Sequence, residues 1–196
     1  MKKVFLTMAA VCGLAFASQA QTSQGAILLN GSIDASFLQN KTEFDGVTVD
    51  GTKDSNFNLS PSVGYFVTDG LAVGLNVDIQ SSSSKLDDEK STVRTLVVGP
   101  LVRYYTEFGV FGLANAGLAS IKFKDEEGSE TFEEKASGFG WEIGVGYAAF
   151  LGENVAIEPA ITYGGASFNF DEDGVDFTQK SSGLGINIGI SVFLNN

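Results

Sequence analysis

The stretch GFGWEIGVGYAAFLGENVAIEPAITY (residues 138–163) decides the fold. In its first half, each odd residue from Phe139 to Tyr147 is large and apolar, and the alternation resumes after the LGEN turn at 151–154. A period of two places one parity on each face of a β-strand. The other parity is mostly glycine and alanine with a few charges, which suits a crowded interior. The large residues then face an apolar medium, as in a strand–turn–strand unit of a membrane β-barrel.

The first twenty residues have the three parts of a secretory signal peptide: a basic start, an apolar run at 4–17, and small residues before the cleavage site. We predict cleavage after Ala20, which leaves Gln21 as the first mature residue, with Ala17 as a second candidate site. The apolar run is shorter than the ~20 residues that a spanning helix needs. Residues 21–196 are therefore predicted to form one barrel domain.

Composition excludes several classes of protein. Cys12 is the only cysteine and leaves with the leader, so the mature chain has no disulfide and no thiol chemistry. Loss of Lys2 and Lys3 takes the formal net charge from −12 to −14. That charge disfavours nucleic acid as a partner, because binding it requires cations that neutralise phosphates. No apolar run after the leader is long enough for a membrane helix, so any crossing must use strands.

The two-residue alternation recurs along the mature chain and predicts eight strands. They lie at about 25–38, 55–67, 71–79, 93–105, 110–123, 138–148, 155–164 and 184–194. In the fifth of these strands the odd residues are predicted to face outward. Long polar segments at 40–54, 81–91, 124–137 and 169–182 alternate with short turns. We therefore expect an all-β, eight-stranded antiparallel up-and-down transmembrane β-barrel with short periplasmic turns and long extracellular loops.

Aromatic residues are expected to form two girdles around a band of leucine, isoleucine and valine, because a bilayer selects aromatics at both interfaces. The predicted periplasmic girdle contains Tyr65, Phe66, Tyr104, Tyr105, Phe108, Phe111, Tyr147, Phe150 and Phe193. The predicted outer girdle contains Phe37, Phe57, Phe123, Phe139, Trp141, Tyr163 and Phe168.

The segments YFVTDGLAVG (65–74) and GPLVRYY (99–105) resemble the small outer-membrane barrels of the OmpA/OmpX type. More specifically, they look like porin-family outer-membrane β-barrel proteins of Bacteroidota. The closing strand at 185–194 is similar to a barrel-assembly signal. The resemblance implies a place in the outer membrane, contact with its lipid and lipopolysaccharide, and insertion by the barrel-assembly machinery.

The chain contains no histidine. A nucleophile activated by a Ser-His pair is therefore excluded. Small barrel enzymes that resemble this architecture also rely on histidine. With cysteine also absent from the mature chain, the commonest zinc ligands are missing. We expect no enzymatic activity, no cofactor and no resident metal.

Three charged residues have inward parity, and we treat them as a candidate lumen charge network: Arg103, Glu142 and Glu158. One interpretation is a charged gate or polar path through the barrel. The other is a structural ion pair that fills the lumen, which we favour because an eight-stranded barrel is about wide enough to be filled by side chains.

The long segments are acidic. The segment at 124–137 carries six acidic residues and the segment at 169–182 carries four. They are candidates for binding divalent cations that bridge to lipopolysaccharide phosphates, or for binding a basic partner. Solvation alone is the simpler interpretation, and DEDGVD at 171–176 lacks the spacing of an EF-hand.

The sequence thus predicts an integral outer-membrane barrel, exposed at the cell surface, with a non-enzymatic structural or surface-interaction role. Two alternatives stay open. One is a narrow porin for small solutes. The other is a soluble secreted barrel of lipocalin type, which would turn its large apolar parity inward around a ligand.

Overall fold

The computed structural model describes residues 21–44, 47–86, 89–127, 130–172 and 175–195. Within these ranges, the side chains of 41–44, 47–50, 127, 171–172 and 175–176 lie outside the description.

The described chain forms one antiparallel sheet that closes on itself. Strands β2 to β6 follow one another in sheet order, β6 also pairs with β8, and β1 pairs with both β2 and β9. The two-residue β7 pairs with β8 beyond the end of β6. Eight long strands therefore complete the ring, which confirms the predicted up-and-down barrel. The strands are β1 (Ile27–Phe44), β2 (Val47–Thr68), β3 (Leu71–Leu86), β4 (Glu89–Tyr105), β5 (Val110–Glu127), β6 (Glu130–Tyr147), β7 (Ala149–Phe150), β8 (Val155–Glu172) and β9 (Val175–Leu194).

Large apolar side chains cover the outside of the barrel. On β9, Ile186 is 79 % exposed, while Ser191, which has the opposite parity, is fully buried. On β1, Ile33 is 69 % exposed and Leu28 is fully buried. A soluble barrel of lipocalin type would have the opposite arrangement, so the structure contradicts that alternative.

The segments predicted as long loops are largely strand. Leu86 pairs with Glu89 and Glu127 pairs with Glu130, so the hairpins β3–β4 and β5–β6 stay paired to within two residues of their tips. The polar composition that suggested loops is compatible with paired strands, because outside a bilayer both faces of a hairpin can meet water. We call this side of the barrel the hairpin end and the opposite side the short-turn end.

The predicted orientation of the fifth strand was wrong. Phe111 and Ile121 on β5 are buried inside, whereas the even residue Leu118 is 79 % exposed. The outward positions near the start of β5 are Gly112, Ala114 and Ala116, which are too small to mark the lipid face. The largest apolar residues of this strand point inward, so the alternation pattern predicted the wrong face as the lipid face.

Eight pairings between neighbouring long strands form the ring. The pairing of β1 with β9, which is the seam that closes the barrel, is the shortest of them. Strand β1 pairs with β9 only through five residue pairs, from Ile27↔Leu194 to Gly31↔Ile190. Towards the hairpin end, the described residues of β1 and β9 continue without pairing to each other, although each keeps its other neighbour. We call the unpaired stretch between 32–37 and 184–189 the seam slit.

Inward glycines let two neighbouring strand pairs approach closely. A Cβ atom added to Gly99 would collide with the Ala116 carbonyl oxygen and with Gly117, and one added to Gly74 would collide with the Val63 carbonyl oxygen. Glycine at such points permits the sharp coiling that closes a small barrel.

We expect Gly99→Ala to reduce the yield of folded barrel sharply, since the added methyl group has no space beside the β5 backbone. Refolding into detergent micelles, followed by heat-modifiable gel migration, measures the folded fraction. Gly31→Ala is the matched control, because nothing lies within 4 Å of a Cβ atom at Gly31. Equal folded fractions for the two variants would contradict this account of the glycine.

Candidate functional site in the barrel interior

An ion pair crosses the lumen. Arg103 lies on β4 and Glu158 on β8, which are not neighbours in the sheet. Their Nη2 and Oε2 atoms are 2.8 Å apart. Only 4 % of Arg103 and 2 % of Glu158 are exposed. A pair this buried depends on further hydrogen bonds, because both charges have lost their water.

Neighbouring side chains hydrogen-bond the Glu158 carboxylate, whereas Arg103 Nε and Nη1 are buried and have no hydrogen-bond partner among the described residues. The Tyr105 hydroxyl donates to Glu158 Oε1 at 2.9 Å. Asn30 Nδ2 lies 3.2 Å from Glu158 Oε2 and 2.8 Å from Ser191 Oγ, and donates to both. Strands β1, β4, β8 and β9 thus meet in one polar cluster across the lumen, which braces the barrel from inside.

Five aromatic rings fill the interior between this cluster and the short-turn end. We call them the aromatic plug: Phe66, Tyr105, Phe111, Phe150 and Phe193. Adjacent ring centroids are 5.2–6.2 Å apart, within the range of favourable aromatic contacts. The guanidinium of Arg103 joins the plug to the ion pair, since its Cζ lies 4.3 Å from the centroid of the Phe111 ring.

The plug corrects the predicted girdles. The five plug residues were assigned to the periplasmic girdle, but they point inward. The outward girdle at this end retains Tyr65, Tyr104, Phe108 and Tyr147, all exposed. At the other end Phe168 is buried and packs with the inner residues, whereas Phe37, Phe57, Phe139, Trp141 and Tyr163 are exposed.

The segment at 21–26 lies across the mouth of the barrel at the short-turn end. Gly70 donates its backbone N–H to the Thr22 carbonyl oxygen at 2.8 Å, in the turn between β2 and β3. On the other side, Gln21 Nε2 donates to the Gly152 carbonyl oxygen at 3.3 Å, in the connection between β7 and β8. Since β3 and β8 are on opposite sides of the ring, the segment spans the mouth and covers the plug.

A cavity of about 440 Å³ opens above the ion pair towards the hairpin end. We call it the polar cup. Its wall is mostly amide, hydroxyl and carboxylate groups. Asn115 donates to Glu142 Oε1 at 3.2 Å, and Asn76 donates to Asp78 Oδ2 at 2.5 Å. Neither carboxylate has an ion-pair partner in the part of the chain that the structure describes.

The three predicted lumen charges are therefore divided. The structure brings Arg103 and Glu158 together and places Glu142 in the wall of the polar cup. Sequence reasoning missed the roles of Tyr105 and Asp78 in this interior. Arg103 and Tyr105 have the same parity, so alternation alone placed Tyr105 inside the barrel. We assigned Tyr105 to a girdle because of its height along the barrel axis, and that assignment overrode the parity.

A comparison with protein families decides where this barrel belongs. The model of the outer membrane protein beta-barrel domain matches residues 6–187. The chain belongs to this family. Together with the outward apolar side chains, membership makes it an integral protein of the outer membrane. In such barrels the short turns lie in the periplasm and the longer connections outside the cell.

Two solved outer-membrane barrels share this fold, and a third matches over most of its length. Ail of Yersinia pestis, solved with the heparin analogue sucrose octasulfate, has a TM-score of 0.55 at 14 % identity, covering 87 % of this chain and 99 % of that chain. Neisserial surface protein A has a TM-score of 0.50 at 17 % identity, covering 86 % of this chain and 97 % of that chain. OprG of Pseudomonas aeruginosa has a TM-score of 0.49 at 20 % identity, covering 90 % of this chain and 99 % of that chain. A comparison with curated protein sequences finds no match.

Two further observations concern the described residues of this outer-membrane barrel. No helix among them is long and apolar enough to cross a membrane. No three of their His, Cys, Asp or Glu side chains are grouped so that they could hold a metal ion.

The β5–β6 hairpin carries acidic groups outside the membrane. Lys122 Nζ lies 2.8 Å from Glu133 Oε2, and its hydrogen bond lowers the pKa of that carboxyl. Lys124 likewise donates a hydrogen bond to Glu126 and lowers its pKa. Both carboxylates therefore stay ionised to lower pH than isolated glutamates do.

We expect Arg103→Met to lower the free energy of unfolding of the outer-membrane barrel by about 3–5 kcal/mol, because it leaves the buried Glu158 charge unpaired. The double variant Arg103→Met/Glu158→Gln should lose less than the sum of the two single variants. Urea titration in detergent micelles, followed by tryptophan fluorescence of Trp141, measures these changes.

Lys122→Met is the matched control, since it breaks an exposed ion pair on the hairpin and should change stability little. If Arg103→Met and Lys122→Met are equally stable, the lumen pair does not brace the barrel.

Proposed function

We propose that this chain is a non-enzymatic outer-membrane barrel with a structural or surface-interaction role, closed to passage of solutes along its axis. The aromatic plug is the observation that carries the proposal. A solute entering from the hairpin end meets the Arg103–Glu158 pair, then five packed rings, then the segment at 21–26.

The barrel's dimensions support closure. An eight-stranded ring has an interior just wide enough to be filled by side chains. Phe66 and Phe193 are fully buried, and Phe111 is nearly so, which leaves no water path beside them. Opening a path along the barrel axis would require both the separation of packed rings and the loss of the buried Arg103–Glu158 ion pair.

A narrow porin is the second candidate function, and the polar cup favours it. The cup is lined by polar groups, as the inside of a water-filled channel is. It occupies only the half of the lumen above the ion pair, so a porin role would require the plug to move.

The surface role rests on the hairpins, which extend well beyond the lipid-facing band and carry acidic side chains. The solved Ail complex contains sucrose octasulfate, a polyanion. The acidic hairpins of this chain would repel such a ligand, so we propose that its surface engages cationic groups. A basic partner fits this charge, and so do divalent cations that bridge to lipopolysaccharide phosphates. The acidic segment at 171–176 lies outside the described side chains.

Biogenesis follows from the same proposal. We propose that residues 1–20 are a cleaved signal peptide, that Gln21 begins the mature chain, and that the barrel-assembly machinery inserts it. The part of the resemblance that points to Bacteroidota stays a prediction.

We expect the unmodified protein to give no stepwise conductance in planar lipid bilayers, because the plug seals the axis. Phe66→Ala/Phe111→Ala should give small resolved steps, since it removes two rings from the plug. Tyr104→Ala/Phe108→Ala is the matched control, because both side chains point outward at the same end. Heat-modifiable migration verifies that each variant is folded.

Steps from the unmodified protein would overturn the proposed closure and favour the narrow porin. A folded Phe66→Ala/Phe111→Ala variant that stays silent would show that other groups close the axis.

We expect intact-mass measurement of the protein purified from outer membranes to give a chain that begins at Gln21. Ala20→Leu should block cleavage there, because the signal peptidase needs a small residue at that position. A mature chain that begins at Ser18 would instead support the second candidate site, after Ala17.

A further inference from the structure

Strand alternation sorts the charged side chains of the barrel between its two faces. Among the described side chains, the strand cations other than Arg103 have outward parity: Lys53, Lys85, Lys90, Arg94, Lys122, Lys124, Lys135 and Lys180. The strand carboxylates other than Glu126 and Glu133 have inward parity: Asp34, Asp54, Asp78, Glu89, Asp125, Glu130, Glu134, Glu142 and Glu158. The outer face of the hairpins is therefore cationic, although the chain as a whole is acidic.

Three of the outward cations form a row across β4, β5 and β6. Arg94 pairs with Lys122, and Lys122 pairs with Lys135, so the three residues stand directly opposite one another on neighbouring strands. Like charges at directly opposite positions destabilise a sheet. Such a row is less costly when an anion lies over it. We call these three residues the cation row.

Only the middle member of the cation row has an ion-pair partner among the described residues. Lys122 Nζ lies 2.8 Å from Glu133 Oε2. Arg94 and Lys135 are exposed, and no described carboxylate lies within ion-pair distance of either. The row therefore carries two uncompensated positive charges.

The cation row lies at the level of the lipid headgroups. On β4, Arg94 is two residues beyond the outward Leu96, about 7 Å along the tilted strand. The polar layer of a bilayer is about 5–8 Å thick on each side of the hydrocarbon. On β6, Lys135 is four residues beyond Phe139, and its long stem lets the ammonium group reach back towards the membrane. Ser137 lies between them on the same face and is exposed.

An apolar groove runs down the lipid face below the cation row. Its floor is the outward face of β5, where only small side chains occur below Leu118: Gly112, Ala114 and Ala116. Larger side chains form both walls. Ala114 lies between Val102 on β4 and Ile143 on β6, and Ala116 is opposite Trp141. From Gly112 to Leu118 the groove follows about 20 Å of tilted strand, which crosses roughly one leaflet.

A phosphomonoester matches the cation row in charge and in hydrogen bonding. Its charge near pH 7 is about −1.5 to −2, close to the two uncompensated positive charges. Arginine binds phosphate oxygens through two parallel N–H groups, and lysine binds them as a point charge. Ser120 and Ser137, which are paired and exposed between the row and the groove, add two hydroxyl donors. A zwitterionic choline headgroup brings no net charge to the site.

We propose that the cation row and the groove below it bind an outer-leaflet lipid whose headgroup carries a phosphomonoester. The phosphate lies between Arg94 and Lys135, and one acyl chain lies in the groove against Ala114 and Trp141. This site is separate from the acidic surface of the proposed function, because the acidic residues lie on the inner face and towards the hairpin tips. It is also separate from the closed axis, because the lipid stays outside the barrel.

Trp141 is the only tryptophan of the chain and forms part of the groove wall, so its fluorescence reports on the bound lipid. The probes are brominated phosphatidic acid and brominated phosphatidylcholine in phosphatidylcholine vesicles that contain EDTA. Brominated acyl chains quench tryptophan on contact. We expect phosphatidic acid, a phosphomonoester, to bind at least about five-fold more tightly than phosphatidylcholine. Brominated phosphatidylglycerol, a phosphodiester with one charge, should show a smaller preference.

Arg94→Gln/Lys135→Gln should abolish the preference for phosphatidic acid, because it removes both uncompensated charges. Lys53→Gln/Lys180→Gln is the matched control, since it removes two exposed outward cations from β2 and β9, away from the groove. The control variant should keep the preference. Heat-modifiable migration verifies that each variant is folded.

Four results would overturn the proposal. Equal quenching by phosphatidic acid and phosphatidylcholine in the unmodified protein would show that the site does not select phosphate. Equal losses in the two double variants would show attraction to the whole cationic face. Equal binding of phosphatidic acid and phosphatidylglycerol would show that one negative charge suffices. A preference that appears only when calcium replaces EDTA would show bridging through the acidic groups, which belongs to the proposed surface role.

Discussion

The structure depends on one constraint, which is that backbone groups inside a bilayer have no water to bind. Strands can cross only if neighbours satisfy their hydrogen bonds, so the sheet must return to its first strand. Eight strands then fix a narrow interior, and alternation divides every strand into a lipid face and an inner face. The short β1–β9 pairing is where this requirement is met least completely.

A narrow interior must be filled, and the chain fills it in two chemically different layers. Near the short-turn end, aromatic rings pack closely and exclude water. Above them the buried pair of Arg103 and Glu158 is stabilised by Tyr105 and Asn30, and further up the wall turns polar. Each layer depends on the other, because the Phe111 ring covers the guanidinium that holds Glu158. The inside of the barrel is therefore a core, with a cavity only in its upper half.

The sequence predicted the strand number, the order and the inner or outer parity of most residues, because alternation is a local property. It failed where two signals competed. Phe66 and Phe193 share the parity of inward serines, yet their height in the barrel suggested a girdle. On β5, the inward Phe111 is larger than the outward Gly112 and Ala114. The difference in apolar size between the two faces therefore predicted the inner face of β5 as its lipid face. The ion pair's partners, and the incomplete seam, depend on contacts between distant strands that alternation does not encode.

The segment that crosses the mouth has a mechanical consequence. A ring of strands is softest towards flattening into an ellipse, since that motion bends every strand pair slightly and breaks none. A chord fixed at two opposite points resists this motion. Gln21 holds the connection at Gly152, and Thr22 holds the turn at Gly70, so the first residues of the described chain act as that chord. Two opposite sides of the periplasmic rim are thus linked by a segment that belongs to no strand.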